Sequence, residues 1–159
     1  MSTAHPPKLR FFSNPRSRAR MVHWMLQECG ADYELVNLEF GPEMKTPEFL
    51  AINPMGKVPA LQHGDAVITE TGAILAYLAE LFPEKQLAPA IASPERASYF
   101  RWLFFVAGPV EAATTAKNEG WLKLQTHQQA MSADFGHFED VVNTLQHAVS
   151  GKRYVCGDH

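Results

Sequence analysis

A chain of 159 residues, 46% apolar and 11% aromatic, can bury a real core as one domain or two small ones, which sets disorder aside for most of its length. Its formal net charge of −3, with basic residues spread evenly along it, leaves no electrostatic footprint for nucleic acid. The longest apolar run, Trp102 to Ala107, falls far short of the ~20 residues of a membrane span, and the start, MSTAHPPK, reads as a loose tail and not a secretory signal. No membrane association and a cytoplasmic location are expected.

Residues 8 to 12, KLRFF, have the pattern of a short strand, and Pro15 marks a turn into a helix. Met21, Val22, Met25, Leu26 and Cys29 then recur at helical spacing, with Gly30 as the stop. Residues 33 to 40, YELVNLEF, alternate apolar and polar as a second strand. A short helix is expected over 47 to 52, then strand-like pieces at 58 to 62 and 66 to 69, joined by the hairpin signal His63-Gly64-Asp65. From Thr71 the period turns helical, with Ile74, Leu75, Leu78, Leu81 and Phe82 on one stripe, and Pro83 ends it.

Beyond the linker EKQLAPAIAS no strand pattern returns. Two long helices are expected, over about 94 to 118 and 126 to 150. The first carries YFRWLFFVAGP, apolar almost all round, so it should be buried on several sides and kinked at Gly108-Pro109. The domains predicted are therefore an α/β unit over 1–82 and an all-α unit over 92–159. Cys29 and Cys156 have no zinc or disulfide spacing. His127, His137 and His147 recur every ten residues, which on one helix rotates each by about 80°, so they cannot share a face, and no metal is expected.

The chemistry concentrates around NPMGKVPALQHGD, where a proline falls inside a strand-like run. A cis Val58-Pro59 bond would turn the Val58 backbone outward, ready to pair with an extended peptide as an added strand. The alternative is that Pro59 only blunts an edge. Glu70-Thr71 stands where the last strand meets a helix, so unpaired amides and the helix dipole there favour a carboxylate while Glu70 favours an ammonium. Together they describe a socket for a free α-amino acid head group; Thr71 alone could be a plain cap.

NPMGKVPAL, then ETGAILAYL at this spacing, then an all-helical segment, resembles the cytosolic glutathione S-transferases from about residue 8 onward, in particular the bacterial serine-type members. The resemblance implies a thioredoxin-like N-terminal domain followed by a helical one, and a homodimer. It further implies glutathione as co-substrate, with a cis-proline at Pro59, the Val58 backbone on the cysteinyl part, and Glu70 and Thr71 on the γ-glutamyl end. MKTPEFLAINP resembles a loop that carries a lysine toward the glycine carboxylate, which points to Lys45, with Lys57 as a second polar contact. YVCGDH resembles the stretch just before a further helix of the second domain, so the expectation is a chain cut short inside that domain.

Activating a thiol of pKa near 8.5 by ~1.5 to 2 units needs about 2 to 3 kcal/mol, within reach of one hydroxyl donor to the thiolate and a helix N-terminus. FFSNPRSRARM supplies Ser13 and Ser17 for that role, without Tyr or Cys. The pattern proline, any residue, serine favours Ser17 in the first helical turn, and Ser13 directly after the strand is the alternative. The expected activity is addition of the glutathione sulfur to a small electrophile, with Phe105 on the first long helix as a candidate to face that second substrate. The rival reading is a non-catalytic module of the same fold. A mixed-disulfide oxidoreductase is disfavoured because residues 11 to 20 hold no cysteine.

Overall fold

The computed structural model describes residues 8–124 and 126–156. The tail MSTAHPP and the last three residues of YVCGDH lie outside them. The chain divides into two compact units, Met1–Ala88 and Pro89–His159.

The first unit runs β1 (Leu9–Ser13), α1 (Ala19–Cys29), β2 (Tyr33–Asn37), a 3-10 turn (Pro42–Lys45), α2 (Pro47–Ile52), β3 (Ala60–His63), β4 (Ala66–Thr69) and α3 (Thr71–Leu81). Strand order is β2-β1-β3-β4, with β1 parallel to β2 and antiparallel to β3, and β3 antiparallel to β4. Alternation along β1 divides the core. Leu9 and Phe11 join Val22, Leu26 and Cys29 of α1 and Ile74 and Leu78 of α3 on one face. Phe12 points the other way, onto Met44, Phe49 and Ala60. Gly30 ends α1 in the left-handed region at φ 62°, its amide reaching back to the carbonyl of Gln27. Thr46 caps α2, with Pro47 at its first position. This mixed sheet with helices on both faces is the thioredoxin-like arrangement.

Two boundaries differ from the sequence reading. The strand expected over 33 to 40 ends at Asn37, and Phe40 lies in a turn, half exposed, under the Arg16 guanidinium at 5.5 Å. The strand expected from 58 begins at Ala60, so Pro59 stands just before the ladder, where its missing amide costs no sheet bond.

Cys29 is 1% exposed, and burial pushes its thiol pKa above the ordinary cysteine value, against a smaller opposing pull from Lys85. The folded state therefore holds this proton longer than the unfolded chain, so the stabilisation is whole below about pH 9 and is lost as pH rises through the folded value. Thermal melts on the alkaline side should fall more steeply with pH in the wild type than in Cys29→Ala. Equal slopes would show that Cys29 is not the group responsible.

The second unit contains α4 (Glu95–Phe105), a π turn (Val106–Val110), α5 (Glu111–Asn118), a 3-10 turn (Trp121–Leu124), α6 (His127–Ser132) and α7 (Phe138–Val149). The expected kink at Gly108-Pro109 takes the form of that π turn, which accommodates the missing Pro109 amide without breaking the rod. The expectation that α4 is buried on several sides does not hold. None of its residues is buried, and Phe104 is 71% exposed. Its rings pair with each other and with cations along the helix instead: Trp102 meets Phe105 at 5.6 Å, and the Arg96 and Arg101 guanidinium groups cover Phe100 and Trp102 at 4.9 and 4.1 Å.

The helix expected over 126 to 150, by contrast, is broken at a turn containing Gly136 with φ 64°. The premise that His127 and His137 cannot meet falls with it: their rings stack at 5.5 Å, because the turn folds one helix back toward the other. Among the described residues no group of three or more His, Cys, Asp and Glu side chains is placed to hold a metal ion, and no helix is long and apolar enough to cross a membrane.

Candidate functional site

The three buried polar residues among those described, Ser13, Asn14 and Asn53, lie at one end of the sheet, Ser13 as the last residue of β1 and the two asparagines in the loops that follow β1 and α2. Hiding polar groups is costly unless each is hydrogen-bonded, so their arrangement is specified by more than apolar packing. That end of the sheet carries the site.

The ladders fix the geometry. Phe12 pairs with Ala60 and Ala60 with Thr69, so continuing both registers by one residue puts Ser13, Pro59 and Glu70 in one row across β1, β3 and β4. Strands lie about 4.8 Å apart, so the row spans roughly 10 Å, the length of a tripeptide at about 3.3 to 3.6 Å per residue. The Val58-Pro59 bond is cis. Val58 lies outside the strand, and among the described residues neither its amide nor its carbonyl has a hydrogen-bond partner. A sheet edge is thus open to an extended peptide at that point.

At the far end of the row, Glu70 is the N-cap of α3, with φ 68° and ψ 122°, a region that a residue with a side chain seldom adopts. Its carbonyl accepts the Ile74 amide at 3.0 Å, and no side chain caps the helix. The first-turn amides beside Thr71 therefore face outward with the positive end of the dipole behind them.

The two serines differ. Ser17 Oγ donates to the Asn14 carbonyl at 2.7 Å and accepts the Ala19 amide at 3.1 Å, so it is tied into the turn that leads into α1. Ser13 is 6% exposed, and its hydroxyl has no hydrogen-bond partner among the described residues. By the alternation of β1 it lies on the face of Leu9 and Phe11, toward α1 and α3.

Both lysines belong to the approach to Val58. Lys45 Nζ donates to the Met55 carbonyl at 2.9 Å, and the exposed Lys57 extends from the residue before Val58. Gly56, at φ 58°, is required between them, because a Cβ there would clash with the Met44 carbonyl. Phe105 lines a cavity of about 550 Å³ within the second unit, with Arg101, Phe104, Gly108, Pro109 and Asp134.

The sequence reading missed two residues. Asn53 Nδ2 donates to the Lys57 carbonyl at 2.8 Å and its Oδ1 accepts the Met55 amide at 3.1 Å. Asn14 Nδ2 donates to the Leu38 carbonyl at 2.7 Å and its Oδ1 accepts the Arg16 amide at 2.9 Å. Each precedes a proline, and the dipeptides Asn14-Pro15 and Asn53-Pro54 are turn signals that could have drawn attention to both.

A thioredoxin-like sheet with an open backbone edge beside an uncapped helix start has the backbone groups to pair with a short, charged peptide. Residues 7–80 match the family model described as glutathione S-transferase, N-terminal domain. A zeta-class glutathione S-transferase of Euphorbia esula is 49% identical over 87 residues, which is 53% of this chain and 38% of that protein. The chain thus spans well under half of that relative's length. Its fold superposes on a glutathione transferase from Methylococcus capsulatus str. Bath with a TM-score of 0.75 at 30% identity, covering 95% of this chain and 74% of the other. It also superposes on a glutathione transferase homologue from Sulfitobacter with bound glutathione, TM-score 0.69 at 26% identity, covering 96% and 75%. The chain belongs to the glutathione S-transferase family.

Proposed function

We propose that this protein binds glutathione at the row Ser13, Pro59, Glu70 and transfers it, as the thiolate, to a small electrophilic carbon. The observation that carries the reading is the Val58 backbone, without a hydrogen-bond partner among the described residues, set across the end of the sheet from a serine hydroxyl that likewise has none among them. In this assignment Val58 pairs with the cysteinyl residue, the α3 amides and Thr71 take the γ-glutamyl carboxylate, and Glu70 takes its ammonium. Lys45 and Lys57 serve the glycine carboxylate. Holding Glu70 at positive φ costs about 1 to 3 kcal/mol, a strain characteristic of ligand clamps.

The serine that steadies the thiolate is Ser13. Ser17 would have to release the Asn14 carbonyl before it could donate elsewhere, whereas the Ser13 hydroxyl has no bond to give up. Ionisation sends the thiol proton to solvent, and the thiolate then accepts the Ser13 O–H; a charged acceptor makes that bond worth about 1.5 to 3 kcal/mol. The sulfur attacks the electrophile with its own electron pair, and the electrophile's leaving group departs with the pair of the broken bond. A cytoplasmic homodimer belongs to the same reading, supported by family membership. So does a division of labour between a glutathione-binding unit over 1–82 and a helical unit over 92–159.

Calorimetric titration with glutathione tests the binding step, and Glu70→Ala should weaken it about tenfold by removing a charge-assisted bond to the ammonium. Turnover of an activated aryl halide tests the transfer. Binding without turnover of aryl halides or peroxides would reduce the protein to a binding module. No binding at all would overturn the proposal.

A further inference from the structure

Arg101, Phe104, Phe105 and Gly108 fall at i, i+3, i+4 and i+7, one face of the rod where α4 runs into the π turn, and all four line the cavity of about 550 Å³ in the second unit. That volume is ordinary for a small-molecule site. At about 1.5 Å per residue, Arg101 and Gly108 stand roughly 10 Å apart along the rod. Asp134, from the turn between α6 and α7, closes the Gly108 end. A Cβ on Gly108 would stand 3.0 Å from Asp134 Oδ2, tighter than an ordinary contact, so glycine lets that carboxylate lie against the helix. Glycine and proline are poor residues for a helix interior, yet Gly108 and Pro109 stand together at this wall.

The charges at the two ends are not spent on each other. Arg101 and Asp134 form no ion pair, and neither side chain has a hydrogen-bond partner among the described residues. The Arg101 guanidinium lies over the Trp102 ring at 4.1 Å, which engages its flat face and leaves its N–H edge available. Phe104 and Phe105 supply apolar surface between the ends. The cleft is therefore cationic at one end, anionic at the other and aromatic between. A ligand with one charge satisfies one end only. Hydrogen bonds of about 2.9 Å at both ends leave roughly 5 Å between the ligand's own charges. Two residues of extended chain, at about 3.3 to 3.6 Å each, span that distance, whereas a single amino acid carries both charges on one carbon.

We infer that this cleft binds a short zwitterion with an apolar body, a hydrophobic dipeptide with free termini, its ammonium on Asp134, its carboxylate on Arg101 and its side chains against Phe104 and Phe105. The guanidinium fork matches a carboxylate, and the aspartate accepts from an ammonium through a charge-assisted bond. The site is formed wholly by residues of the second unit and does not depend on the glutathione reading.

Calorimetric titration of the whole chain with alanyl-phenylalanine tests the site. The dipeptide should bind about fivefold more tightly than its N-acetyl derivative, its C-terminal amide or free phenylalanine, and the margin should narrow as salt is added. Asp134→Asn should weaken the dipeptide and its amide about fivefold and leave the N-acetyl form unchanged. Arg101→Gln should weaken the dipeptide and its N-acetyl form and spare the amide. Both side chains are exposed, so these variants should melt as the wild type does. Glu70→Ala, which alters the glutathione row, should leave dipeptide affinity as it was. No binding at millimolar dipeptide, equal affinity for all four ligands, or losses in the two variants that ignore the ligand's charge would each overturn the inference. So would a loss in Glu70→Ala, which would seat the dipeptide at the glutathione row.

Discussion

Ser13→Ala should raise the pKa of bound glutathione by about 1 to 2 units and lower kcat/KM at neutral pH by roughly tenfold to a hundredfold, because one donor to a thiolate is worth about 1.5 to 3 kcal/mol. The loss should shrink as pH rises, since alkali supplies the thiolate that the missing hydroxyl no longer stabilises. KM for glutathione should change little, because the peptide is held by Val58, Glu70 and Thr71. Ser17→Ala is the control with the opposite signature. It removes the bond to the Asn14 carbonyl and the acceptor for the Ala19 amide, so it should cost about 1 kcal/mol of stability and leave the thiol pKa in place. pH–rate profiles and thermal melts of the two variants separate the roles. A raised pKa in Ser17→Ala alone would transfer the activator role to Ser17.

The proline, any residue, serine pattern favours Ser17 with Ser13 as the alternative, and spacing alone does not decide between them because it places both near the start of α1. Only the hydrogen bonds distinguish them: one hydroxyl is spent on a turn and the other is not. Other features could be read directly. The helical stripes of α1 and α3, the stop at Gly30 and the hairpin at Gly64 are local signals, and local signals survive folding. The unusual backbone at Val58-Pro59 was legible too, since a proline in a strand-like run demands an explanation. What failed depended on side-chain contacts and helix breaks that apolar periodicity does not encode. An apolar pattern over YFRWLFF does not reveal that guanidinium groups cover its rings, and a ten-residue histidine spacing separates the rings only if the helix is continuous. The buried asparagines escaped for the same reason, as their partners at Leu38 and Lys57 are set by loop closure.

Asn53→Ala should have the largest effect on the backbone that reads the ligand. The peptide group joining residues 57 and 58 is planar, so its carbonyl and its amide point in opposite directions. Asn53 Nδ2 holds that carbonyl at 2.8 Å, which aims the Val58 amide away from the loop and toward the open edge. The same side chain takes the Met55 amide, and its backbone carbonyl accepts the Gly56 amide at 2.7 Å, so one buried residue closes the whole turn. Truncation leaves the Lys57 carbonyl and the Met55 amide without those partners, at about 1 to 3 kcal/mol each where water cannot replace them. The expected result is a stability loss of about 2 to 3 kcal/mol in denaturant titrations. Affinity for glutathione and for S-methylglutathione should fall together, by roughly thirtyfold, because the lost contact is with the backbone and not with the sulfur. The pKa of whatever glutathione remains bound should stay where the wild type holds it, since Ser13 is untouched. That joint fall in affinity at constant ionisation is the inverse of the Ser13→Ala result, and a raised thiol pKa in Asn53→Ala would mean that the two ends of the row are not independent.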